Sequence, residues 1–310
     1  MGALNMNMNM NMNMNMNMAA QSPSVGGTGT RVRFNTMDYR KYVLLTPAPT
    51  EQLVPSTTTS MVFPKNWDAD LRSYLFLNEF LSSTPVTSLT GFPNWKDMFQ
   101  TALSTVVING LNVVTPPNAL PFNDLTTQVR QMLDVALDRD DRFAEIIDQN
   151  DAEGAASYFL GMLMIDPNRM PASNLLIRVA RRIGEHVVMC LKGAFRCPRP
   201  SQLCTAIMPM IDPPATPSFP SGHSLQSQLI ARCLIAATPV ALPAHLLLPN
   251  LADRLGWNRV IAGLHYPHDH DAGQAIADWL FSLLNALPPA SLFKTLLTAA
   301  QQELSVLDAP

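Results

Sequence analysis

Cysteine is scarce: Cys190, Cys197, Cys204 and Cys233 are the four in 310 residues. Their spacing fits no zinc module and no disulfide framework, so reduced thiols in a cytoplasm are the expectation. Charge is thin as well, with 15% charged residues and a formal net charge of -3. No overall field would gather nucleic acid or an anionic membrane, and any anion must be held by a local cluster of cations. Uninterrupted apolar runs are missing too. Residues 229–249 are broken by Arg232, His245 and three prolines, and residues 279–297 by two prolines and Lys294. Neither offers the roughly 20 apolar residues of a membrane-spanning helix. The N-terminus lacks the basic and apolar regions of a secretory signal, and Met6 stands where a myristoylation signal carries Ser or Thr. These absences predict a cytoplasmic chain without a transmembrane span.

An apolar fraction of 47% is enough to build a large core. Residues 6–18 alternate Met and Asn, and a Ser/Gly/Thr-rich stretch follows, so residues 1–30 read as a low-complexity tail. Residues 31–64 are Pro/Thr-rich and read as an extended arm. Residues 65–310 read as one helical catalytic domain. Apolar residues recur there at helical spacing over 67–81, 95–111, 125–147, 152–165, 173–195, 223–237, 245–264, 267–284 and 292–307. Pro, Gly, Asn and Asp mark the breaks, and no segment of this domain alternates with period two, so the fold class is all-α, a helical bundle.

Three segments carry chemistry. In Lys192-Gly-Ala-Phe-Arg-Cys-Pro-Arg199-Pro200 two long cations stand seven residues apart, the second between prolines. They suit an oxyanion, the Arg as a planar fork and the Lys as a point charge. In Pro217-Ser-Phe-Pro220-Ser221-Gly222-His223-Ser224, Ser221 is a natural N-cap for the apolar run behind it. Gly222 lets a ligand approach, and the free N–H groups of the helix start face an anion. In Asn258-Arg259-Val-Ile-Ala-Gly-Leu-His265-Tyr-Pro-His-Asp269, Pro267 suits the first turn of a helix. His265 then lies just ahead of that helix and Asp269 inside its first turn. A carboxylate on one ring nitrogen fixes the tautomer and leaves the other nitrogen the better nucleophile.

Taken in order, Lys-x6-Arg-Pro, Pro-Ser-Gly-His and Arg-x5-His-x3-Asp make the chain resemble the superfamily shared by type 2 phosphatidic acid phosphatases, bacterial class A acid phosphatases and vanadium-dependent haloperoxidases. The third motif of that superfamily usually opens Ser-Arg, and this chain has Asn258 before Arg259. The resemblance implies a helical bundle of the acid phosphatase and haloperoxidase type and a phosphoric monoester hydrolase. It implies that Lys192, Arg199 and Arg259 neutralise phosphate oxygens while Ser221 and Gly222 hydrogen-bond them. His265 would attack phosphorus to give a phosphohistidine, His223 would protonate the leaving alcohol and later activate water, and Asp269 would orient His265. Three cations against a dianion can do this without a metal or other cofactor, on a small phosphorylated substrate. The alternative is a haloperoxidase, with vanadate held by the same cations and ligated by His265. In haloperoxidases the residue seven before the motif-two histidine is often aromatic or His; Thr216 in that position favours the phosphatase.

Other clusters read as structural. His265, His268 and His270 with Asp269 and Asp271 have the composition of a metal site, but a helix turns His268 and His270 in different directions. His186 and His245 lack matched partners. The acidic residues Asp138, Asp140, Asp141, Glu145 and Asp148 read as a solvated face between helices.

Overall fold

The computed structural model describes residues 68–83, 86, 94–150, 154–239 and 243–305. The tail and arm expected over residues 1–64 lie outside the described residues. Eleven α-helices are found among them: α1 (Ala69–Ser82), α2 (Trp95–Ala102), α3 (Phe122–Val135), α4 (Arg139–Asp148), α5 (Gly154–Met162), α6 (Pro171–Phe195), the single turn α7 (Pro200–Leu203), α8 (Gly222–Ala237), α9 (Ala244–Ile261), α10 (Pro267–Asn285) and α11 (Leu292–Leu304). The fold is all-α, as the spacing predicts. No helix among the described residues is long and apolar enough to cross a membrane.

Two boundaries differ from the sequence expectation. The helix expected over 95–111 stops at Ala102, and Val107–Ile108 (β1) pairs antiparallel with Leu111–Asn112 (β2). The turn between them needs two left-handed residues, Asn109 at φ 52° and Gly110 at φ 80°, which no helix accommodates. Asn109 then donates to Asp271 Oδ2 at 2.9 Å and ties this hairpin to α10. The helix expected over 125–147 is two helices, α3 and α4, joined by a 3-10 turn at Ala136–Asp138. Apolar periodicity runs through that join because both helices face the same interior.

α8 is the centre of the bundle, packed by α6, α9 and α10 and touched by α5 and α11. Close approach depends on small residues: a Cβ at Gly273 would stand 2.8 Å from Ser221 O and 2.9 Å from Ser224 Cβ, and one at Gly184 2.8 Å from Leu225. Carboxylates from neighbouring helices serve two helix starts, α6, which has no side-chain cap of its own, and α11, where Ser291 caps Lys294 N. Glu303 accepts from the amides of Ala172 and Ser173 at the start of α6, and Glu79 from those of Leu292 and Phe293 at the start of α11. These amides have no partner within their own helix, and a carboxylate there also meets the positive end of the dipole.

Candidate phosphate site

The three segments singled out in the sequence meet at the start of α8. Lys192 comes from the last turn of α6, Arg199 from the turn into α7, Ser221, Gly222 and His223 from the start of α8, Arg259 from the last turn of α9, and His265 and Asp269 from the start of α10. Ser221 caps α8, its hydroxyl accepting from Ser224 N, and Ser221 N donates to Asp269 O at 2.9 Å. That last bond joins the second segment to the third.

Asp269 organises the centre. Its Oδ2 accepts from His265 Nδ1 at 3.0 Å, from Tyr266 N at 3.1 Å and, in a very short contact, from Ser218 Oγ. With Nδ1–H given to the carboxylate, the lone pair of His265 lies on Nε2, where Arg199 Nη1 meets it at 3.0 Å. Arg199 is held in place by Thr216 O at 2.9 Å, Thr216 Oγ1 at 3.1 Å and Leu264 O at 2.9 Å. Lys192 Nζ donates to Pro217 O at 2.5 Å and Ser218 O at 2.7 Å. An ammonium has three hydrogens, so one is left for a ligand.

His223 and Arg259 are positioned through a different element. The C-terminal end of α4 presents Gln149 O to His223 Nε2 at 3.1 Å and Ile146 O to Arg259 Nη2 at 2.7 Å. That end of α4 is lashed to α9 by Glu145, which accepts from Arg254 with both oxygens and from Asn258 Nδ2 at 3.0 Å. Arg254 and Asn258 hold the Glu145 carboxyl down at about 2. The acidic stretch is therefore not simply a solvated face. Asn258, standing where the resembled motif has serine, works as a bracket between helices.

Lys192, Arg199, Arg259, His265 and Asp269 are each no more than 4% exposed, and burial governs their charges. It lowers Arg199 and Arg259 to about 10 and pulls Lys192 well down, with the Arg199 charge adding to the effect on Lys192. His265 is driven far below the usual imidazole value by burial and then by Arg199, Lys192, His223 and Arg259, so it is neutral. His223 is lowered to about 3 by burial and then by Arg259. It is neutral in the unliganded site. Burial raises Asp269 to about 6, against the pull of Ser218 and Lys192.

All eight sequence candidates thus lie at one place, Gly222 as the first residue of α8 beside His223. A Cβ on Gly222 would meet Val188 only at 3.8 Å, an ordinary contact, so packing does not demand glycine there. Sequence reasoning passed over Ser218, and it took Thr216 only as a mark against the haloperoxidase, not as the partner of Arg199, although both lie in or beside the Pro217–Ser224 segment. It could not have found the carbonyls of Ile146 and Gln149, since any residue supplies a carbonyl. His268 and His270 do diverge, His268 Nε2 toward Thr115 O and His270 toward α8 and α9. Among the described residues no group of three His, Cys, Asp or Glu could hold a metal ion.

The sequence profile of the PAP2 superfamily matches residues 174–288. No curated protein sequence matches the chain. Among solved structures, the crystal structure of the first transmembrane PAP2 type phosphatidylglycerolphosphate phosphatase from Bacillus subtilis is similar at 17% identity, covering 69% of this chain and 93% of that one, with a TM-score of 0.33. The matched residues 174–288 contain every site residue from Lys192 to Asp269, and over them the chain is similar to the PAP2 superfamily.

Proposed function

We propose that this chain, as a phosphatase-type hydrolase of the PAP2 superfamily, hydrolyses phosphoric monoesters through a phosphohistidine on His265, without needing a metal ion. The observation that carries the reading is charge. Three cations are buried in the site: Lys192 and Arg199 with the Asp269 carboxylate beside them, and Arg259 on the Ile146 carbonyl. Buried charge without a counter-charge is costly, and a phosphate dianion between the cations and the α8 start removes that cost.

The incoming phosphate draws Arg199 Nη1 off His265 and frees the Nε2 lone pair, while Asp269 keeps the Nδ1–H and stabilises the charge that develops on the ring. The ester oxygen leaves on the side of His223. An anion offsets Arg259, Lys192 and Arg199, the cations that hold His223 down, so the bound phosphate itself raises His223 toward the charged state that protonates the alcohol. Water, deprotonated by the now neutral His223, then attacks phosphorus and releases His265. Positioning and charge neutralisation carry most of the rate of such a transfer.

The test is hydrolysis of a chromogenic phosphate monoester by the purified chain in EDTA, beside His265→Ala and with a parallel vanadate, bromide and peroxide assay. EDTA-resistant hydrolysis, lost in the variant and blocked by vanadate, is expected. Bromide oxidation that appears only with vanadate, in a chain that leaves the ester intact, would replace this reading with the haloperoxidase.

A further inference from the structure

Behind the phosphate cradle runs a second chain of hydrogen bonds, which reaches it at Ser221. Asp253 Oδ1 meets His270 Nε2 at 3.1 Å, His270 Nδ1 meets Ser224 Oγ at 2.9 Å, and Ser224 Oγ meets Ser221 Oγ at 2.8 Å. It crosses from solvent to the cradle: the Asp253 side chain is 62% exposed and that of His270 2%. Ser224 and Ser221 are fully buried. The packing is cut to fit it, since a Cβ at Gly256 would lie 2.6 Å from both His270 Nδ1 and Ser224 Oγ. The groups on the His270 ring are Asp253 and the edge-on Trp257 from α9, and Ser224 from α8. On α10 itself Gln274 shares the Asp253 oxygen. The flanking carboxylates are engaged elsewhere, Asp269 with Ser218 and His265 and Asp271 with Asn109.

Each hydroxyl has one hydrogen, and this makes the chain directional. A neutral His270 gives its Nε2–H to Asp253 and takes the Ser224 hydrogen on Nδ1. The Ser224 oxygen then faces Ser221 as an acceptor and draws the Ser221 hydrogen inward. A His270 carrying hydrogens on both nitrogens donates to Ser224 Oγ instead. Ser224 then donates to Ser221 Oγ, and the Ser221 hydrogen points out of the helix start.

We propose that Asp253, His270 and Ser224 are positioning residues for Ser221, a relay in which a hydrogen on His270 Nδ1 turns the Ser221 hydroxyl outward to donate to bound phosphate. The relay rests on the phosphate-binding reading of the site. Asp253 holds the ring from the protein surface, and Ser221 converts a proton on it into anion affinity about 6 Å of hydrogen-bonded path away, roughly two hydrogen-bond lengths from Nδ1.

The test measures inorganic phosphate affinity against pH by calorimetry and follows the His270 ring by NMR in the same samples. Wild type is compared with Asp253→Asn, Ser221→Ala and the double variant. Phosphate affinity should fall as the ring loses its proton. Asp253→Asn should move the ring titration and the affinity profile together to lower pH, weakening binding roughly tenfold between the two titrations. Ser221→Ala should leave the ring titration in place and abolish the effect of Asp253→Asn on affinity. An affinity profile that ignores the ring titration, or an Asp253→Asn effect undiminished in the Ser221→Ala background, overturns the relay. A wild-type chain that binds neither phosphate nor vanadate overturns the functional reading instead, and is told apart because the ring titration needs no ligand.

Discussion

One oxygen of Asp269 serves His265, Tyr266 N and Ser218 together, so the proposed nucleophile is aligned by a carboxylate that is itself aligned. Asp269→Asn keeps the shape but offers an amide to Nδ1, and its kcat should drop about 10³- to 10⁴-fold, the cost of a wrong tautomer at such a pair. Ser218→Ala, measured in the same assay, should lose about tenfold or more, the worth of one hydrogen bond to a charged group. Gly222→Ala separates ligand approach from packing. With Val188 at 3.8 Å the added methyl fits, so the melting temperature should hold while KM for the ester rises. A fall in melting temperature with unchanged KM would assign the glycine to packing. Asp269 near 6 also sets the acid side of the rate profile. kcat/KM should decline as pH falls through about 6, because a protonated carboxyl no longer supports the charge growing on His265.

The end of α4 is an element on which the site leans without contributing a side chain to it. Its Ile146 and Gln149 carbonyls hold Arg259 and His223, and Glu145 fixes it to α9. Glu145→Gln breaks a partly exposed ion pair, worth little stability, yet it should raise KM severalfold by releasing Arg259 and His223. An unchanged KM in steady-state assays would show that α4 holds its place without Glu145. Gly273→Ala works at the α8–α10 crossing, where the new methyl would meet Ser221 O at 2.8 Å and Leu225 N at 3.1 Å. Overpacking against backbone should destabilise the chain by about 1–3 kcal/mol in chemical denaturation. The long helices α6, α8 and α10 were legible because each buries one face continuously and starts at Pro171, a Ser221 cap or Pro267. The β1–β2 turn was not, since its left-handed Asn109 and Gly110 interrupt a run whose apolar spacing looks helical. Nor was the role of α4, because charge on a helix surface looks the same whether it meets water or the partners Arg254 and Asn258.

At the level of the whole molecule, three segments far apart in sequence are folded so that their charges are held against one another's preference. His223, lowered to about 3, and His265, also held well below its ordinary value by burial, both take up protons on unfolding below the ordinary imidazole value near 6.5. A depressed pKa contributes stability that is full above 6.5 and is lost as pH falls toward the folded value. Asp269, raised to about 6, runs the other way between about 3.8 and 6. Two histidines outweigh one carboxylate, so the melting temperature of the unliganded chain should fall from pH 7 to pH 5. Inorganic phosphate, by compensating the buried cations, should raise it at either pH. The eight candidate residues were legible in order and spacing because the chemistry proposed for them demands particular side chains; the contacts of Ser218 and Thr216 and the Asp253–His270–Ser224 chain were not, because only the folded geometry gives them partners.

The most direct measurement is to quench the chain during turnover of a labelled phosphate monoester and locate the phosphorus by mass spectrometry under alkaline conditions. The account predicts an acid-labile phosphoryl group on His265, absent in His265→Ala and accumulating when His223→Ala slows the water step for a substrate with a good leaving group. Turnover with no label on His265, or label on another residue, would contradict it.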